Sequence, residues 1–370
     1  MFNCTCLEDA TIDKCNSLTF ISRGQLPSTL KRLEIGNCMN LQIVVDEGEA
    51  SSSSLLMNEQ NLNTSLLERC SELTSLSSSG QLPTALKHLT IEKCPKLESV
   101  ADKLPTALKH LYVSSCPKLE SVADKLHDNA SLEHLQIRYC EKLKSLPEGL
   151  HKLCHLNQIT IERCSSLVSF PDGGLLPTSL RQLYIEDCEK LEALPNRMHN
   201  LTSLHHLRIV RCGSIISFPE EGYPTNLTSL RLEGVNICKQ VFEWGLHRLT
   251  SLTYLWIDGD DGFPDWQSFP SEEEDGKMMM TLPTSLTTLL ILKLPNIVFL
   301  SSKGFQNLSA LQQLLIFNCP TLEFLPEKGL PPSLLRLQIV NCPLLKQHCK
   351  KGKGREWLKI ANIPQVKIGF

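Results

Sequence analysis

Sixteen cysteines and eleven histidines are the side chains of this 370-residue chain best suited to hold a metal or attack a substrate. Their spacing points elsewhere. Eleven of the cysteines (Cys15, Cys38, Cys70, Cys94, Cys116, Cys140, Cys164, Cys188, Cys212, Cys319 and Cys342) fall at the same slot of a recurring pattern. A structural zinc site wants closely spaced pairs of such ligands. The remaining Cys4, Cys6, Cys154, Cys238 and Cys349 form no pair of pairs. His88, His110, His134 and His206 share a second slot of the pattern. An exposed column beside strands, not a metal site, is the expectation for them. Asp258, Asp260 and Asp261 with Gly259 and Gly262 resemble a calcium loop only loosely, because the regular ligand spacing and the closing glutamate are missing. There is no GxxxxGK[ST] phosphate loop, no HExxH and no GxSxG. Gly352-Lys353-Gly354 follows no strand pattern. The expectation is a chain with no catalytic, cofactor or metal residues.

The element that imposes this spacing is typified by Leu180 to Pro195, LRQLYIEDCEKLEALP. Its apolar residues are Leu180, Leu183, Ile185, Cys188, Leu191 and Leu194. Leu183 and Ile185 alternate as in a strand, and the flanking steps of three turn corners. The register recurs from Leu156 and from Leu204. A unit of about two dozen residues with one strand is the mark of a leucine-rich-repeat solenoid. Fourteen units are expected, with origins at Leu7, Leu30, Leu62, Leu86, Leu108, Leu132, Leu156, Leu180, Leu204, Leu227, Leu252, Leu286, Leu311 and Leu334. The expected fold is an α/β solenoid, a horseshoe with a parallel sheet on its concave face. Turns and short 3₁₀ segments form the convex face, where Leu104-Pro105, Leu194-Pro195 and Leu325-Pro326 block long helices. The cysteine slot then becomes a buried ladder of free thiols, since bridging alternate rungs would distort a regular stack.

The repeat region spans 1–345, with insertions near 46–61 and 258–280. A basic cap or tail covers 346–370. Both insertions are acidic and poor in the repeat pattern, and are expected to be disordered, solvated loops; the alternative for the second is a contact loop anchored by Trp266 and Phe269. The first repeat begins within a few residues of Met1 with no recognisable cap, so a partner or an upstream domain is expected to cover that end. A net charge of −3 and 6% aromatic residues argue against bulk binding to nucleic acid or anionic membrane. No apolar run approaches a membrane span, and the start lacks a secretory leader. A cytoplasmic location is the expectation.

A surface remains as the place for function. Residues 82–103 nearly duplicate 104–125, and all four differences lie at 90–93 against 112–115. Three of those positions are expected to be exposed on the inner face. The core-facing pair, Ile91 and Val113, differs by one methylene. A second exposed slot reads Glu68, Glu92, Ser114, Arg138, Glu162, Glu186, Val210, Glu233 and Asp258. It is mostly acidic, with basic neighbours including Lys93, Arg163, Arg208, Arg211 and Arg231 that compensate like charges one rung apart. In the C-terminal units the inner slots turn apolar: Tyr254, Trp256, Leu290, Leu292, Leu315, Phe317 and Val340. Such a patch on a wet face marks an interaction site or a surface covered by Met278–Met280. Together with Tyr184 and Arg208, these residues are the expected partner contacts.

The LxxLxIxxCxxLxxLP unit and the linking phrase LPTSLxxL (176–183 and 282–289) resemble the leucine-rich region of plant intracellular disease-resistance proteins of the coiled-coil, nucleotide-binding class. The closing CPLLKQHCKKGKGREWLKIANIPQV is similar to the usual end of those proteins. The resemblance implies a protein-recognition module in innate immunity. It would sense pathogen effectors or guarded host proteins and restrain a nucleotide-binding switch domain. ADP or ATP would bind only in such an upstream domain, not in this chain. The alternatives are a stand-alone interaction scaffold, such as a ligase adaptor or decoy, and a fragment of a secreted or surface receptor.

Overall fold

The computed structural model describes residues 6–24, 26–27, 29–46, 62–79, 81–123, 126, 131–215, 222–234, 245–259, 266–271 and 281–369. Most of the two insertions, Met278–Met280, Cys4 and Cys238 therefore lie outside the described residues. The chain divides into two compact units, Met1–Arg197 and Met198–Phe370.

Each unit is a stack of parallel five-residue strands. In the first, the strands are Asp9–Asp13, Arg32–Gly36, Thr64–Glu68, His88–Glu92, His110–Ser114, His134–Arg138, Gln158–Glu162 and Gln182–Glu186. In the second, they are His206–Val210, Ser229–Glu233, Tyr254–Asp258, Thr288–Leu292, Gln313–Phe317, Arg336–Val340 and Gln365–Gly369. A strand follows each of the fourteen expected origins, and the last strand is additional. Within each unit the register is unbroken: Ile159 pairs Leu183 and Ile161 pairs Ile185 in the first, for example. In the strands between the two ends the second and fourth residues point into the core, which is why Leu183, Ile185, Leu230, Leu232, Leu314 and Ile316 are fully buried. Each such side chain contributes about 1.5–3 kcal/mol on burial, and it does so only because the neighbouring rungs cover it.

Two tight turns produce the steps of three in the sequence. Before the strand, the carbonyl of a proline accepts from the leucine three residues on, as in Leu180 N–H to Pro177 O (3.1 Å) and Leu334 N–H to Pro331 O (3.0 Å). After it, the cysteine carbonyl accepts from another leucine, as in Leu97 N–H to Cys94 O (3.2 Å) and Leu191 N–H to Cys188 O (3.2 Å). Between strand and cysteine sits a residue in the left-handed region, for instance Lys93 (φ 54°), Tyr139 (φ 54°) and Asn341 (φ 55°). That conformation aims its N–H at the next rung: Arg69 N donates to Glu92 O at 2.9 Å and Arg163 N to Glu186 O at 2.9 Å.

The return side carries 3₁₀ segments at Leu150–Lys152, Asp172–Gly174, Met198–Asn200 and Leu246–Arg248. It also carries short strands that sequence analysis did not anticipate. Ser22–Arg23, Ile43–Asp46 and Ser75–Ser77 form one small parallel sheet, and Ser268–Phe269 pairs Phe299–Leu300 in the other unit. Trp266 (6% exposed) and Phe269 (0%) belong to this packed layer, so they are core residues and not anchors of a contact loop. Among the described residues, helices are few and short, and none is long and apolar enough to cross a membrane.

Candidate functional site: the sheet face

The first, third and fifth residues of every strand stand on the open face of the sheet, opposite the core. In the second unit the third-position column is Arg208, Arg231, Trp256, Leu290, Leu315, Gln338 and Lys367, set side by side by the strand register. The fifth-position column is Val210, Glu233, Asp258, Leu292, Phe317, Val340 and Gly369. Trp256, Leu290 and Leu315 are therefore consecutive, and so are Leu292, Phe317 and Val340 in the adjoining column. Tyr254 stands two residues from Trp256 on the same strand. The sheet thus brings together all the expected contact residues of this unit. Most are half-buried; Leu290 is more covered, at 8% exposed. Tyr184 occupies the corresponding face of the first unit, also half-buried.

Charged groups border the patch. The Arg231 guanidinium lies 3.9 Å from the Trp256 ring centroid, a cation–π contact. Glu233 is buried and accepts from Arg211 Nη1 at 2.6 Å and from Arg231 Nη2 at 3.3 Å. Asp258 is buried too, with Lys293 Nζ at 3.5 Å. Desolvation pushes the Tyr254 hydroxyl pKa up, against the smaller opposing pull of Arg231 and Arg208. Trp256 Nε1 is covered yet donates to no acceptor among the described residues.

The expectation that the second slot is exposed needs correction at four rungs. Val210 (0% exposed), Glu233 (4%), Asp258 (4%) and Ser114 (7%) are buried, so that slot is wet only at some rungs. For Glu233 and Asp258, the long basic side chains of Arg211, Arg231 and Lys293 lie against the carboxylates.

The first unit presents a different face. Its acids alternate with bases across the rungs: Glu68 with Lys93 (3.3 Å), Arg138 with Glu162 (3.5 Å), Arg163 with Asp187 (3.2 Å); Glu68 also meets Arg69 of its own rung (3.4 Å). Such half-exposed pairs contribute about 0–1 kcal/mol each, so the mosaic is chiefly mutual compensation. In the near-duplicate rungs Ile91 and Val113 are both fully buried, while Thr90 and Tyr112 stand half-buried on the sheet face.

His88, His110 and His134 form a face-to-face stack on that unit, with centroids 4.6 Å apart at both steps. Desolvation, reinforced by the neighbouring His134 and His88, lowers the His110 pKa. Donor atoms of His110, Glu133 and His134 lie within 4.8 Å of one another. Glu133 already accepts from Lys109 Nζ at 2.7 Å, which holds its pKa down. His134 Nδ1 contacts Gln158 Oε1 at 3.2 Å.

The thiols line up as expected, with one exception. Cys38, Cys70, Cys94, Cys116, Cys140, Cys164, Cys188, Cys212, Cys319 and Cys342 are buried and free. Cys15, on the first described rung, is exposed; among the described residues that rung pairs with one other. Each buried thiol donates to the carbonyl two residues back, as in Cys94 Sγ to Glu92 O (3.4 Å) and Cys116 Sγ to Ser114 O (3.4 Å). Those carbonyls also accept the left-handed N–H of the preceding rung. Contact with Cys116, opposed by Cys70 and aided by burial, pushes Cys94 up to about 12. Burial, opposed by hydrogen bonds with the Cys140 and Glu162 backbone, does much the same for Cys164. Cys94 and Cys164 are thus unreactive donors that satisfy the turn.

Sequence reasoning missed one part of the face. The closing segment holds helices Pro343–His348 and Trp357–Ile360 and then the strand Gln365–Gly369, which pairs with Arg336–Val340. Its Lys367 joins the third-position column. The alternation of Val366 and Ile368, in register with Leu337 and Ile339, was the available signal.

The fold defined by these rungs is a leucine-rich-repeat solenoid. Over 147 residues, 40% of its length, the chain is 35% identical to a putative disease resistance protein of Arabidopsis thaliana. The matched stretch spans only 10% of that relative. This bears out the resemblance to plant disease-resistance proteins over the part of the chain it covers. No family model matches the chain. Among solved structures, a leucine-rich-repeat protein of Leptospira interrogans aligns over 100% of this chain and 97% of its own, at 17% identity and TM-score 0.42. The leucine-rich effector YopM of Yersinia pestis aligns over 98% and 89%, at 20% identity and TM-score 0.38.

Proposed function

We propose that this chain is the recognition part of a plant intracellular disease-resistance receptor. Its sheet face would bind a pathogen effector or a guarded host protein, and the chain would restrain a nucleotide-binding switch domain until that binding occurs. The observation that carries the reading is the contiguous apolar patch of Trp256, Leu290, Leu292, Leu315, Phe317 and Val340 on the open face of the sheet. Exposed apolar clusters with aromatic members are where protein partners gain most of their binding energy. The similarity to a putative plant disease resistance protein supports the immune setting.

Two tests address the two halves. For recognition, Trp256→Ala with Phe317→Ala should weaken binding of a protein partner by about 30-fold or more, the loss expected when hot-spot residues are truncated. Unchanged affinity with an unchanged melting temperature would refute a partner site on this face. For restraint, the transcript upstream of the Met1 codon should continue in frame into a module with a GxxxxGK[ST] loop. An in-frame stop codon shortly before Met1 would refute a switch domain on the same chain.

A further inference from the structure

The chemistry of the partner can be read from the charges around the patch, granted the recognition role proposed above. On the strands of the second unit, the acids of the sheet face are Glu233 and Asp258 alone. Both are buried against bases and present no free carboxylate. The bases are more numerous, and two stand apart from any acid. Arg336 is exposed, and its Nη2 donates only to the neutral Gln338 Oε1, at 3.2 Å. Lys367 is exposed on the neighbouring strand. Neither pairs with a carboxylate among the described residues. Lys350, Lys351, Lys353 and Arg355, all exposed, add positive charge in the segment that leads into that last strand.

The geometry relates these bases to the patch. Leu315 registers with Gln338, and Gln338 with Lys367. Gln313 registers with Arg336. At about 4.8 Å per rung, Lys367 lies roughly 10 Å across the sheet from Leu315, and Trp256 a further 10 Å or so beyond. An extended chain rises about 3.3 Å per residue, so roughly 10 Å is three residues. One short segment laid across the strands can therefore fill the patch and reach both bases.

We propose that the partner surface is an acidic, apolar polypeptide segment. Its large aliphatic or aromatic side chains sit on Trp256, Leu290, Leu315 and Phe317. An aspartate or glutamate about three residues away is held by Arg336 and Lys367. A basic segment would meet like charge at the end of the patch where, among the described residues, Arg336 and Lys367 stand without a carboxylate. A wholly apolar one would leave those cations without a counter-ion on a desolvated rim, which costs specificity more than contact area.

The test is selection of displayed random twelve-residue peptides on the intact 370-residue chain, followed by affinity measurement of the enriched peptides as synthetic probes. Enriched sequences should carry Asp or Glu about three residues from Leu, Phe, Trp or Ile. Arg336→Glu with Lys367→Glu, both at exposed positions, should weaken them at least tenfold and shift a repeat selection toward Lys- and Arg-bearing peptides. A merely unfolded variant could not produce that shift. Peptides that lose binding with Trp256→Ala and Phe317→Ala, but not with the charge reversal, would overturn the acidic partner and leave the recognition reading standing. Peptides sensitive only to the charge reversal would overturn the proposal as plain charge attraction. Absence of any peptide sensitive to either pair would overturn both.

Discussion

At the scale of single residues, the slots of the repeat decide what each side chain can be. The histidine stack shows this most clearly. Its neighbours in the same slot are Gln158 and Gln182, uncharged residues that tolerate close approach across rungs. His110, desolvated and flanked by His134 and His88, has a lowered pKa. Below the ordinary imidazole range the unfolded chain therefore holds a proton that the folded chain lacks, and stability falls as pH drops. His110→Gln should make the loss of melting temperature between pH 7 and pH 5 shallower than in the wild type. An equally steep loss would mean the stack carries no such cost. The slot itself was legible from the spacing of His88, His110 and His134. The stacking was not, because it depends on ring rotation and not on sequence period. Burial in the second face slot was similarly hidden: a glutamate reads as exposed until long bases such as Arg211 and Arg231 are seen lying against it.

The rung is the next scale, and its defining feature is a backbone conformation. Twelve non-glycine residues that follow sheet strands, from Lys14 to Asn341, lie near φ 50°. A branched side chain is poorly tolerated there. Asn341→Val should cost about 1–2 kcal/mol in urea unfolding, the ordinary penalty of the left-handed region for a residue without local hydrogen bonding. Asn341→Gly should cost less, since it forfeits only the bond from Asn341 Nδ2 to Asn318 Oδ1 (2.9 Å). Equal losses for the two would show that the side-chain bond, and not the backbone, sets the cost. The strands and their flanking turns were readable because leucine, proline and cysteine each do one job at a fixed offset. The short return-side strands at Ser22–Arg23 and Ser75–Ser77 were not, since main-chain pairing of two or three residues leaves no period in the side chains.

At the scale of the molecule, each unit depends on its rungs being covered at the ends. In the second unit the closing segment does this through Glu356. Its buried carboxylate accepts from Leu325 N–H at 3.0 Å and from Lys359 Nζ at 2.8 Å. Glu356→Ala strands both donors and should lower stability by about 3 kcal/mol, as when one partner of a buried pair is removed. Hydrogen exchange at the Leu325 amide should accelerate with it; unchanged protection there would show that the closing segment is held by other contacts. The basic composition of that segment was plain from the sequence. Its strand was harder to read, because the Val366 and Ile368 alternation stands without the leucine and cysteine turns that flank the other rungs. The account as a whole rests on the sheet face of the second unit being where another polypeptide lies. Carbene footprinting of the chain with and without a bound peptide or protein tests this most directly. Labelling of Trp256, Leu292, Leu315 and Phe317 should fall on binding, while exposed residues elsewhere, such as Leu358 and Val168, stay unchanged. Protection confined to those outlying residues, with the face labelled as before, would contradict it.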